Sequence, residues 1–80
     1  MVIRIAKQVS QIIDIIRPAL EAEGSGIELL KVDQNRGVVQ VRFRGICAST
    51  PQALETLRMG VEEAIKKEVP RIKEVLSVSS

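Results

Sequence analysis

Val38-Val39-Gln40-Val41-Arg42-Phe43-Arg44-Gly45-Ile46-Cys47-Ala48-Ser49-Thr50-Pro51 holds an apolar and polar alternation that gives way, after a short connector, to the start of a helix. Val39, Val41 and Phe43 fall on one side of an extended chain and Gln40, Arg42 and Arg44 on the other, which predicts a half-buried strand over 38–44 with a solvated outer face. Thr50 suits an N-cap, because its hydroxyl can accept a hydrogen bond from a free N–H of the first turn. Pro51 suits the first helical position, where no N–H is needed. Working back from Val38, residues 33–37 (Asp33-Gln34-Asn35-Arg36-Gly37) read as a hairpin loop in which Asn35 and Gly37 tolerate positive φ. Ile27-Glu28-Leu29-Leu30-Lys31-Val32 reads as the partner strand.

Further out on the N-terminal side, Val2, Ile5, Val9, Ile12, Ile13, Ile16 and Leu20 keep the three-and-four spacing of one helical face. Ser10 could cap a shorter helix, and Ile15 lies off the stripe, where it would face a partner. Pro18 lacks the N–H that would reach the Asp14 carbonyl, so a kink or an end near Arg17 is expected before Gly24-Ser25-Gly26 stops the helix. On the C-terminal side, Leu54, Leu57, Val61, Ala64 and Ile65 make a buried stripe, with Glu55 expected near the positive end of the dipole. The pairs Glu62 with Lys66 and Glu63 with Lys67 predict a solvent face. Val69-Pro70 closes this helix, and a last strand is centred on Val75 and Leu76 within 72–78. The order helix-strand-strand-helix-strand predicts one α+β domain over residues 1–80, a small three-stranded mixed sheet with two helices packed on one face.

Composition removes several function classes. With no His, neither a Ser-His-Asp triad nor an imidazole metal site is available to one chain acting alone. One Cys forbids an internal disulfide and an all-cysteine cluster site. Phe43 is the single aromatic residue, and 12 Lys and Arg are interspersed with 10 Asp and Glu, so neither the stacking platform nor the basic surface of a nucleic-acid binder is present. No apolar stretch approaches the ~20 residues that span a membrane, nor does the N-terminus carry one of signal-peptide length. A cytoplasmic protein, or one of an organelle matrix, is expected, with no membrane or nucleic-acid partner.

Cys47 is the one candidate site residue. It follows a strand and precedes a helix N-terminus, where a thiolate is stabilised and becomes a better nucleophile or metal ligand. Arg44, close in sequence, could add positive charge. The other reading is a small apolar side chain packed at the strand end.

Together with Ile16-Arg17-Pro18-Ala19-Leu20, Gly24-Ser25-Gly26-Ile27-Glu28-Leu29, Thr56-Leu57, Gly60-Val61-Glu62 and Val69-Pro70, the connector resembles the C-terminal domain of NifU, the Nfu-type iron–sulfur scaffold, from about residue 9 to residue 78. The resemblance implies a connector of the form Gly-Ala-Cys-x-x-Cys-Pro, with two domains pooling cysteines to hold a cluster between them. Cys47 matches the first cysteine. Thr50 stands in place of the second, and Ser25 stands where the second glycine after the first helix is usual. The expectation is a non-enzymatic protein of iron–sulfur assembly, degenerate in its CxxC pair, acting as an accessory or interaction module. No stable cofactor is expected on one chain; Cys47 is left as the metal or cofactor ligand. Assembly proteins, apo-acceptor proteins and a second copy in a homodimer are the partners implied. Two other readings remain open: a carrier using Cys47 from two chains with external thiols, and a single-thiol redox protein.

Overall fold

The computed structural model describes residues 2–45 and 49–78, with residues 2–4 described through their backbone alone. The elements follow the expected order: α1 (Val2–Ala22), β1 (Ser25–Asp33), β2 (Val38–Gly45), α2 (Pro51–Glu68) and β3 (Glu74–Ser77). β2 is the central strand, antiparallel to β1 and parallel to β3, so the sheet is mixed. The fold is α+β. No helix of the described residues is long and apolar enough to cross a membrane.

The alternation in β2 places Val39, Val41 and Phe43 in the core, where they meet Val9, Ile13 and Leu20 of α1, Val61 and Ile65 of α2, and Val75 of β3. Burying such side chains contributes roughly 1.5–3 kcal/mol each before conformational entropy is set against it. β1 reaches the same core by an irregular route. Ile27 is opposite Phe43 and Leu29 opposite Val41, but the register then shifts, so that Val32 is opposite Val39. Inward positions 27, 29 and 32 break a strict alternation by one residue. The bulge between Leu29 and Lys31 absorbs that residue, leaves Leu30 exposed, and brings Val32 back against the core.

Two expectations for the helices need correcting. Of the kink or end expected near Arg17, the end does not occur: α1 runs through Pro18 to Ala22. Pro18 and Asp14 are both exposed, so the Asp14 carbonyl freed by the missing N–H faces water, while the extra turn buries Leu20. The helix is stopped at the expected glycine, Gly24, which adopts φ +79°. In α2, Glu62 does not join Lys66 on a solvent face; it turns to Arg58, 3.1 Å away, and to the backbone of β3.

The hairpin closes on a glycine. Gly37 takes φ +70°, whereas Asn35 does not use its tolerance, since no described non-glycine residue has positive φ. The Gly37 N–H donates to the Asp33 carbonyl, and the Gly37 carbonyl accepts from both Lys73 N–H (2.7 Å) and Glu74 N–H (3.1 Å). The hairpin is thereby tied to the start of β3.

Candidate functional site

The connector is fixed at both ends. At the β2 end, Gly45 has φ +81° and lies opposite Ser25 in the ladder, close against the end of α1. A Cβ on Gly45 would fall 2.2 Å from the Gly24 carbonyl oxygen, a distance no side chain tolerates. Ser25 itself is in extended β1 without positive φ, so the fold does not require a glycine there.

At the α2 end, Thr50 is the N-cap in extended conformation (φ −129°, ψ 140°), and its Oγ1 accepts from the Ala53 N–H at 3.3 Å. Its carbonyl accepts from the Leu54 N–H at 3.1 Å. Pro51 occupies the first turn, as expected. Glu55 lies beyond that turn and finds a closer partner than the helix dipole. A hydrogen bond from Arg58 holds its carboxyl below the usual carboxylate range, against an opposing contribution from desolvation and with added help from the Arg58 charge.

Cys47, the residue singled out for metal, cofactor or thiol chemistry, lies outside the described residues together with Ile46 and Ala48. The structure places the two ends of its connector. Arg44 makes a salt bridge with Glu28 at 2.9 Å, and Arg42, directly opposite Glu28 in the ladder, approaches the same carboxylate at 3.4 Å. The outer sheet face across β1 and β2 therefore has two guanidinium groups sharing one carboxylate, a mildly basic patch with its charges engaged. Arg44 is not a free cation waiting for a thiolate. Among the described residues no group of three or more His, Cys, Asp or Glu side chains is arranged to hold a metal ion.

Sequence reasoning missed the most elaborate polar arrangement among the described residues, which joins α2 to β3. Arg58 donates to both oxygens of Glu55 (2.9 and 2.6 Å), to Glu62 Oε2 (3.1 Å) and to the Val75 carbonyl (2.8 Å). Glu62 Oε2 also accepts from the Val75 N–H at 3.0 Å. The available signal was the spacing of Arg58 and Glu62, four apart and flanking Val61 on the buried stripe.

Against known proteins, residues 9–76 match the family described as NifU-like domain. The NifU-like protein 2, chloroplastic, of Arabidopsis thaliana is 33% identical over 66 residues, covering 82% of this chain and 27% of that protein. The NifU-like protein, mitochondrial, of Saccharomyces cerevisiae is 32% identical over 75 residues, 92% of this chain and 29% of its own length. A Drosophila willistoni protein, NFU1 iron-sulfur cluster scaffold homolog, mitochondrial, is 32% identical over 63 residues, 79% of this chain and 21% of its own. The chain thus spans about a quarter of the length of these relatives. The matched region takes in α1 from Val9, the hairpin, the connector with its Thr50 cap, α2 and β3 as far as Leu76. The chain belongs to the NifU-like domain family.

Proposed function

We propose that this chain is a non-enzymatic module of iron–sulfur cluster assembly that does not hold a cluster by itself and works through its contacts with assembly or acceptor proteins. Family membership and the likeness to the Drosophila relative, an iron-sulfur cluster scaffold homolog, support the assembly role. A cluster would be the cargo of such a protein, and the donors present do not fit one. Iron–sulfur clusters normally take four thiolates. Each chain here supplies one, Cys47, without any His.

The observation that carries the reading is the use made of Thr50. At the position of the family's second cysteine, its hydroxyl serves the helix as acceptor for the Ala53 N–H. A hydroxyl is also a hard oxygen donor, poorly matched to a soft iron–sulfur cluster. The side chain stabilises α2 where a ligand would otherwise stand. In a dimer that brings two connectors together the count rises to two thiolates, still half of what a cluster takes.

The test is anaerobic reconstitution of the unmodified protein with iron and sulfide, followed by desalting and measurement of iron per chain. Iron near zero is expected without added thiols. Stoichiometric, chelator-resistant iron would overturn the reading in favour of a carrier. Retention only when glutathione is supplied would replace the non-holding module with a carrier completed by external thiols.

A further inference from the structure

β3 is the last strand of the sheet, and its outer edge is the place where another strand could add. The Glu74 N–H bonds to the Gly37 carbonyl and the Val78 N–H to the Val41 carbonyl, both toward β2. Alternation along the strand then turns the backbone groups of Val75 and Ser77 outward. Val75 does not present them to solvent. Its N–H is taken by Glu62 Oε2 at 3.0 Å and its carbonyl by Arg58 Nη1 at 2.8 Å.

The two side chains together offer one acceptor and one donor, the pair a neighbouring strand would offer. Their geometry is held from behind: Glu55 grips the Arg58 guanidinium through two nearly parallel hydrogen bonds, which aims the remaining nitrogen at Glu62 and Val75. The side chains of Arg58 and Glu62 are only 18% and 21% exposed, so they lie against the strand rather than waving above it. We infer that the Arg58–Glu62 pair substitutes for a neighbouring strand and closes the β3 edge to pairing with a second copy of this chain.

The opposite edge is guarded by other means. β1 is kinked by its bulge, carries Lys31, and has its Ile27 carbonyl covered by Arg17 Nε at 3.3 Å. β3 has no bulge among its pairs with β2, so its defence rests on the α2 side chains. With Val75 occupied, Ser77 is the one residue of the four-residue strand whose outward groups are left for a ladder. The inference is independent of metal chemistry and of the connector.

The test combines association with local exchange. Arg58→Ala/Glu62→Ala, checked for folding by circular dichroism, is compared with the unmodified protein by sedimentation velocity across a concentration series. Self-association beyond that of the unmodified protein is expected, and adding Ser77→Pro, which removes the other outward N–H from an edge where proline is tolerated, is expected to reverse it. A folded double variant that sediments like the unmodified protein overturns the inference, as does association that Ser77→Pro leaves intact. Glu62→Ala alone, which removes the acceptor for the Val75 N–H, gives a readout even if the double variant fails to fold. The Val75 amide is expected to exchange several-fold faster in it while the Gln40 amide is unchanged; unaltered Val75 exchange counts against the pair.

Discussion

The two ends of β2 use the same device for different purposes. Gly37 at its start and Gly45 at its finish both take positive φ, and a Cβ at either would collide with a carbonyl oxygen, Arg71 O at 2.6 Å and Gly24 O at 2.2 Å. At the start, the close approach is surrounded by backbone hydrogen bonds: the Gly37 carbonyl receives two N–H groups and fixes the parallel strand β3. At the finish, Gly45 is exposed and opens into the connector. One glycine welds the sheet; the other launches the candidate site. The second end can therefore vary while the sheet stays intact, and on the function proposed above Thr50 is such a variation.

Breaking the first end should have the largest effect. Gly37→Ala combines strain at positive φ with a collision against backbone, and a loss of ~2–3 kcal/mol in urea unfolding is expected. Gly45→Ala meets the shorter contact but is exposed at the last pair of the β1–β2 ladder, away from the junction with β3, so ~1–2 kcal/mol is expected. If the two cost the same, the connector end is as rigid as the hairpin end and the contrast fails.

Next in size is Thr50→Val, which removes the cap acceptor. It should lower stability by ~1 kcal/mol, with Ser49→Ala moving the urea midpoint less. The reverse result would move the cap and remove the argument that Thr50 is committed to the helix.

The smallest effect concerns acid. Glu55 has its folded pKa depressed by the Arg58 hydrogen bond, so its stabilising contribution is present above the ordinary carboxylate value and is lost as pH falls through the depressed one. Glu55 is exposed, and the contribution is correspondingly small. Melting temperatures of the unmodified protein and Glu55→Gln should differ at neutral pH and converge on acidification; a gap that persists would assign the difference to something other than the charge.

Much of this contrast was legible in the sequence because it rests on local signals. The alternation of Val39, Val41 and Phe43 marked β2, Gly37 marked its turn, and Thr50-Pro51 marked the start of α2. These depend on pleat, φ and capping, each decided within a few residues. The bulge in β1 was written only as a slip between Leu29 and Val32, and needed β2 as a ruler to become visible. The end offered near Arg17 as the alternative to a kink does not occur because solvent beside Asp14 and burial of Leu20 outweigh one absent hydrogen bond, a balance that depends on which way the helix faces. The true partner of Glu62 is hidden for the same reason: a four-residue spacing to Lys66 is visible in sequence, while the edge of β3, 13 residues further along, is not. For the site, sequence gave the ligand count and the cap. The cap is confirmed by the Thr50–Ala53 hydrogen bond, and Cys47 rests on the connector reading alone.

The central claim, that this family member is limited by ligands and not by its scaffold, is tested most directly by Thr50→Cys. Unmodified protein and variant would be reconstituted side by side under anaerobic conditions, desalted, and compared by visible absorption and iron per chain. The account predicts a colourless unmodified protein and a variant that gains cluster absorption and chelator-resistant iron. Equal, stoichiometric iron in both would contradict it, and a folded variant that stays colourless would show that a cysteine at position 50 is not what separates this chain from a cluster-holding one.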